Sequence, residues 1–381
     1  MGRPASVRWV KDEMGFQALK AAWNQLAGET NPECVFLRHE WFEAAWEWRK
    51  TECELRVLYI FDRQEPLGIF PLVLERRGNG AIRQLSFLEI PDSQSCDILV
   101  ARQNRDTVVR AIVDEFFATR HGWDMLRLSR ISSDSPILEP LFFEMVSRRL
   151  FTTLTPCGKN LRIDLKVDWP DYYSKRSRSL KKGNNLAANR LRKTGKVEVV
   201  QVDELSADPA TIAKFVRLLC RISSKSWKKS TGLTLDHAGP GRFIHCLTRH
   251  ASEQGWLSVW LLTIDGEAVA MEYQIVYGGQ VHALRADFDA AYSHLSPGSY
   301  LNWKLLEALF GSGRRNYYMG AGNNAYKLRW SEEGESLLQL NAYSPHLRGA
   351  ALRFADVAVR PSLKRFKEWV LPTREPSAPD L

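Results

Sequence analysis

No apolar run in this 381-residue chain approaches the roughly 20 residues a membrane-crossing helix needs. The start, MGRPASVRWVKDE, has no hydrophobic signal core. Cysteine is sparse and scattered. Cys34, Cys53, Cys96, Cys157, Cys220 and Cys246 form no CxxC pair and no dense cluster, which argues against a zinc site and against a disulfide scaffold. These absences predict a cytoplasmic protein without a metal. Histidine adds little: His245 and His250 share a predicted helix with Cys246 but lack a second ligand cluster, and His282 reads as a strand residue. Nothing resembles a Ser-His-Asp arrangement.

One further absence is local. Between Tyr172 and Lys196 there is no acidic residue, while nine cations (Lys175, Arg176, Arg178, Lys181, Lys182, Arg190, Arg192, Lys193 and Lys196) fall there. The formal net charge of the whole chain is +9, so the basic excess is a feature of one segment and points to one anionic partner or surface. That segment reads as a solvated helix face, as a site for an anionic acceptor such as a nucleotide sugar or a membrane-surface saccharide, or as a tRNA contact. Trp169, Tyr172 and Tyr173 precede it rather than interleave with it, so single-strand stacking is not supported.

What is present is ordinary for a globular chain: 44% hydrophobic and 25% charged residues, at a length that suggests two domains. In the first half, HEWFEAAWEWRK (39–50) has helical spacing, and LRVLYIFDRQEPLGIFPLVLE reads as strand, turn, strand. AIRQLSFLEI is a further strand, RDTVVRAIVDEFFATR a helix and WDMLRLSRI a buried strand. The second half repeats the order, with WLSVWLLTIDGEAVAMEYQIVYGGQVHALRADFD as a three-stranded meander, then a helix and the strand RRNYYMG. A tandem duplication is the simplest account, with a hinge at Leu154–Asn160, where TPCGKN breaks the periodicity. The expected divisions are 1–155, 156–345, and a basic helix and tail over 346–381.

The stretch FDAAYSHLSPGSYLNWKLLEALFGSG, Phe288 to Gly313, brings a helix start directly after a strand, with glycine and no carboxylate in its first turn. Such an N-terminus carries unpaired N–H groups and partial positive charge, which suits phosphate. Gly298 permits close approach of a ligand and Pro297 sets the entry turn; Ser296 or Ser299 is available to cap the helix or to donate to phosphate. A plain capped helix entry reads equally well from these residues alone.

The order AVAMEYQIVY…HALRADFDAAYSHLSPGSYL…LLEALFGSG…YYMGAGNNAYKLRW resembles the GNAT-superfamily acyltransferases, and within them the CelD-like, polysaccharide-associated branch related to Fem-type aminoacyltransferases. Leu161 to Tyr343 carries the resemblance; the first half matches only as a degenerate copy, with no glycine before its helix in DILVARQNRDTVVR. The resemblance implies tandem α/β domains, each a mixed, mostly antiparallel sheet flanked by helices, and an enzyme that takes acetyl-CoA or another acyl-CoA as donor. It implies pantetheine along Leu284, Arg285 and Ala286, where the fourth strand (Val281–Phe288) splays from the fifth (Asn316–Met319). The pyrophosphate would meet Leu295, Ser296, Pro297, Gly298, Ser299 and Tyr300. This chain has Ser-Pro-Gly where the common form is Arg/Gln-x-x-Gly-x-Gly, which leaves the CoA assignment open.

Acyl transfer to an amine needs a base, an oxyanion donor and a proton for the thiolate. Glu272, set among apolar strand residues, is a candidate base, as is Asp287; a half-exposed strand carboxylate and a salt bridge to Arg285 are their plain alternatives. Tyr326 is a candidate proton donor and Lys327 a candidate ligand for phosphate or acceptor. Arg178, Lys182 and Trp227 are candidates for the acceptor side. The expected activity is N-acyl transfer to a sugar-derived or envelope precursor. An aminoacyl-tRNA-dependent Fem-type transferase and a non-catalytic envelope-assembly protein are the rivals.

Overall fold

The computed structural model of the protein describes residues 5–322 and 324–359; the expected tail beyond them lies outside the described residues. In the first half the chain runs β1 (Ser6–Val10), α1 (Glu13–Ala18), α2 (Lys20–Thr30), α3 (His39–Arg49), β2 (Glu54–Leu55), β3 (Val57–Asp62), β4 (Glu65–Phe70), β5 (Leu72–Arg77) and β6 (Ile82–Phe87). It continues through β7 (Leu99–Val100), α4 (Arg105–Ala118), β8 (Met125–Ser132) and α5 (Leu138–Ser147) to a long strand, β9 (Phe151–Asp164). The second half comprises α6 (Trp169–Ser174), α7 (Arg178–Leu191), β10 (Val197–Val202), α8 (Pro209–Ser224), α9 (Ala238–Glu253), β11 (Leu257–Ile264), β12 (Glu267–Tyr277) and β13 (Gln280–Phe288). It ends with α10 (Pro297–Leu309), β14 (Asn316–Ala321), α11 (Ala325–Leu328), β15 (Gly334–Tyr343) and α12 (Leu347–Phe354).

Both halves contain the same unit. In each, a strand is joined through a helix to a parallel partner, β6–α4–β8 in the first and β13–α10–β14 in the second. The fold is the expected mixed α/β arrangement. The halves do not keep separate sheets, however. One eleven-stranded sheet runs β10-β11-β12-β13-β14-β9-β15-β8-β6-β5-β2, beside a four-stranded sheet β1-β3-β4-β7. β9 pairs with β14 of the second half, and β15 pairs with β8 of the first, so each half receives a strand across the join.

The hinge expected at Leu154–Asn160 is therefore corrected: these residues are the middle of β9. Pro156 and Gly158 look like breakers in sequence, but a register shift between Leu337 and Leu338 absorbs them, and Gly158 takes φ +127. Where β15 begins, a Cβ added to Gly334 would lie 2.4 Å from Asn160 O and 2.8 Å from Leu161 Cα. Those are backbone atoms that cannot swing away. Gly334→Ala is expected to cost about 1–3 kcal/mol, read as a lower urea midpoint.

The helices follow from sequence periodicity. α8 is capped by Asp208, which accepts from Thr211 N at 2.9 Å, and buries Ile212, Phe215, Val216, Leu219 and Ile222 at three- and four-residue spacing. One core cluster joins the halves, with Trp41 and Trp48 of α3 on Phe243 of α9. A second lies under α4 and α5, and a third packs α7 and α10 against the other face of β11–β14.

Candidate active site

The site forms where β13 and β14 part. They pair in parallel only from Gln280 to His282 and Asn316 to Tyr318; beyond these, Ala283–Phe288 have no partner on β14. On its other edge β13 carries a bulge, with Tyr273 opposite Arg285 and Gln274 opposite Ala283. Leu284 is skipped by both registers. A backbone N–H left outside the ladders at this point is the kind of donor that can polarise a thioester carbonyl.

β13 leads directly to the bare helix start. Ser296 adopts a left-handed backbone, φ 56, ψ 51, and its side chain makes no capping bond to α10. The first turn, Pro297 to Tyr300, has no acid, and Pro297 occupies the position where a missing N–H costs nothing. A Cβ on Gly298 would lie 3.3 Å from the Phe288 ring, so glycine keeps the approach between strand end and helix open. Leu295 is buried beneath, while Ser299 and Tyr300 are half-buried. Tyr300 N already donates to Ser296 O at 3.2 Å, so the donors left at this end are the Gly298 and Ser299 N–H groups, which suit an anion. Arg190, near the end of α7, donates to His294 O at 2.9 Å and so brings one cation of the basic segment beside this turn. Arg178 and Lys182 of the same helix are exposed, as is Trp227.

On the α10 face of the sheet stands Glu272, 4% exposed. Its Oε1 accepts from the Tyr317 hydroxyl at 2.5 Å and from Gln274 Nε2 at 2.8 Å, and its Oε2 from Asn302 Nδ2 at 3.4 Å. Burial raises its pKa, and these three donors only partly offset that. Tyr317 is pushed well above the usual phenol value by burial and by the Glu272 charge, so it stays a donor. Tyr326 is also raised, by partial burial and by Glu272, with 39% of its surface left exposed. Lys327 is 5% exposed and donates to Gly320 O at 3.0 Å and Ala321 O at 3.2 Å; burial brings its pKa down to about 8.

Asp287 projects from the opposite face. Its Oδ1 meets Lys228 Nζ at 2.8 Å, its Oδ2 accepts from Ser223 Oγ at 2.9 Å, and Arg285 Nε lies 3.5 Å away. Burial would raise this carboxyl, but Lys228 and Arg285 outweigh it and hold the pKa below its usual value. Arg285 also donates to Leu233 O at 2.5 Å and meets Asp92 at 3.5 Å, so its guanidinium belongs to this ion cluster. Lys228 further donates to Ala286 O at 2.6 Å. The structure thus gathers Glu272, Tyr326 and Lys327 about the splay and sets Asp287 and Arg285 behind it.

Several contributors carried no sequence signal. Gln94 reaches the splay, and Asp92 the ion cluster behind it, from the loop after β6 in the first half, and only long-range packing places them there. Tyr317 and Asn302 were readable as strand and helix residues, but not as partners of Glu272.

Away from the splay, Glu43, Cys246 and His250 place ligand-type atoms within 4.8 Å of one another. Arg249 Nη2 stands among them, 3.1 Å from Glu43 Oε1, 3.2 Å from His250 Nε2 and 3.8 Å from Cys246 Sγ. A guanidinium already supplies the cation there, and the group ties α3 to α9. All six cysteines are free, and among the described residues no helix is long and apolar enough to cross a membrane.

Comparison with known proteins defines the class. Residues 179–328 match the family model described as an acetyltransferase (GNAT) domain. The match covers less than half of the chain, and a domain of this kind implies acyltransferase activity. No curated protein sequence matches it. Among solved structures, FemX is similar over 88% of this chain and 98% of its own, at 11% identity and a TM-score of 0.56. The L-PGS of Bacillus licheniformis is similar over 91% and 96%, at 11% identity and 0.52. A conserved protein of unknown function from Bacteroides thetaiotaomicron covers 89% and 100%, at 11% and 0.52. These likenesses establish a shared fold.

Proposed function

We propose that the chain transfers an acyl group from an acyl-CoA to an amine on a sugar-derived or cell-envelope precursor, as the CelD-like branch resemblance implies, and that it does so in the cytoplasm. The observation that carries this reading is the splay of β13 from β14, which leads to an uncapped, acid-free helix start at Pro297–Tyr300. The donor's pyrophosphate would sit on those N–H groups and its pantetheine beside Leu284–Ala286.

Glu272 takes the proton of the attacking amine. The Leu284 N–H faces the carbonyl oxygen as charge develops, and Tyr326, kept protonated, returns a proton to the departing thiolate. Residues 156–345 carry the transfer, and residues 1–155 serve as scaffold and as one wall of the acceptor cleft. The exposed Arg178 and Lys182, with Trp227, form the wall for an anionic acceptor.

The test is calorimetric titration with acetyl-CoA and with free CoA, on the native chain and on Gly298→Glu. Binding in the micromolar range, about −8 kcal/mol, is expected for the native chain and absent from the variant. A glutamate in the first turn of a helix is favourable by about 0.3–1 kcal/mol, but its Cβ would press on the Phe288 ring at 3.3 Å, so the unfolding midpoint of the variant is measured alongside and lost binding counts only in a folded sample. No heat with any CoA species overturns the proposal.

The nine-cation segment favours one second reading, a Fem-type transfer from aminoacyl-tRNA. Salt-sensitive tRNA binding, without CoA binding, would identify it.

A further inference from the structure

The splay is closed at its apex by a residue of the first half. Gln94 is 1% exposed, and its Nε2 donates to Ala283 O at 2.8 Å, at the first position of β13 beyond the paired segment. Its Oε1 faces His282 Nδ1 at 3.1 Å. Because the amide nitrogen is committed to Ala283, the oxygen must accept, and His282 therefore carries its proton on Nδ1. His282 is neutral, its pKa brought by burial down to about 3. It also stacks on Tyr318 at 5.0 Å, so the ring that orients Gln94 is itself held.

Three groups converge on Gly320, across the splay. A Cβ added there would lie 3.5 Å from Ala283 O, 3.5 Å from Lys327 Nζ and 3.6 Å from Gln94 Nε2. The apex is thus filled by an amide and an ammonium whose hydrogen bonds are made to backbone carbonyls. Neither can move aside without breaking its hydrogen bond to a half-buried strand carbonyl.

Direction decides the consequence. The phosphate end of the donor lies at α10, beyond the Phe288 end of β13, so its thioester end points toward the apex. Acyl carbons past the thioester carbonyl meet Gln94 and Lys327. We infer that Gln94 is a specificity-determining residue, which restricts the acyl donor to short chains of the acetyl or propionyl class. This inference rests on the acyl-CoA reading above and adds the substrate class to it.

The test is calorimetric titration of acetyl-CoA and octanoyl-CoA into the native chain, Gln94→Ala and Gln94→Met, with unfolding midpoints measured alongside. The native chain is expected to bind octanoyl-CoA roughly tenfold or more weakly than acetyl-CoA. Gln94→Ala opens the Gln94 side of the apex, with Lys327 still in place, and narrows that difference. Gln94→Met fills similar space without the amide and keeps it. Octanoyl-CoA binding by the native chain as tight as acetyl-CoA overturns the inference, whatever the variants do. A preference unchanged in a folded Gln94→Ala also overturns it. Should neither CoA bind the native chain, the acyl-CoA reading itself fails, which is a separate outcome.

Discussion

Glu272→Gln is expected to lower kcat for thiol release from acetyl-CoA, with an amino sugar as acceptor, by roughly 10²- to 10³-fold. KM for acetyl-CoA should stay near the native value, because no donor contact is assigned to this side chain. Glutamine keeps the shape and can still accept from the Tyr317 hydroxyl, but it cannot take a proton. The pH dependence separates a base from a packing residue. Burial raises the Glu272 pKa, so the native rate rises with pH as this carboxyl ionises at a value above that of an ordinary glutamate. That acid limb should vanish in the variant. At the alkaline side, Lys327 loses its charge near its value of about 8, and any contribution it makes as a cation fades there.

The stability effect has the opposite sign. A carboxyl whose folded-state pKa lies above its unfolded value stabilises the fold below the unfolded pKa, and that contribution is lost as pH rises through the folded value. At pH 8 the ionised Glu272 is a cost to the fold. Glu272→Gln should therefore be at least as stable as the native chain there, while nearly inactive. Loss of stability together with activity would assign Glu272 to packing.

Asp287→Ala carries the largest expected stability change, about 3–5 kcal/mol at pH 7. It would remove the carboxylate that both Lys228 and the buried Arg285 guanidinium meet, leaving Arg285 its pair with Asp92 at 3.5 Å, and would leave Ser223 without its acceptor. The Asp287 pKa is depressed in the folded state, so its contribution is present above the unfolded carboxylate value and is lost as pH falls through the folded one. The gap in urea midpoint between native and variant should accordingly narrow in acid. Asp287→Asn, which still accepts from Ser223, should fall between them. A variant as stable as the native chain would mean that the ion cluster contributes nothing net.

Local features of the fold were legible because they are written in local pattern. The meander β11–β13 shows as apolar runs separated by Asp-Gly and Gly-Gly, and α10 as an amphipathic helix after Ser-Pro-Gly. The β13 strand, read as Val281–Phe288, spans Gln280–Phe288, and β14, read as Asn316–Met319, extends to Ala321. The join between the halves was not legible. TPCGKN carries two residues that usually end strands, and only pairing with β15, more than 170 positions later, keeps the chain extended there.

The site divides the same way. Glu272 stood out because a carboxylate among apolar strand residues demands partners. The identity of those partners, Tyr317, Asn302 and Gln274, depends on which faces the sheet turns inward. In sequence Asp287 read as a second candidate base and Arg285 as a donor-side residue or its salt-bridge partner. The bulge at Leu284 sends both to the face of α8, where they bind each other and Lys228. A single extra residue in one strand is invisible to periodicity, yet it decides which side chains see the splay.

The measurement that bears most directly on the central claim is amide hydrogen exchange of the native chain with and without saturating acetyl-CoA. Slowed exchange confined to the segments around Leu284–Ala286 and Gly298–Ser299 is the predicted result, since those hold the N–H groups the donor would cover. Exchange unchanged in both segments under saturating acetyl-CoA would contradict the account.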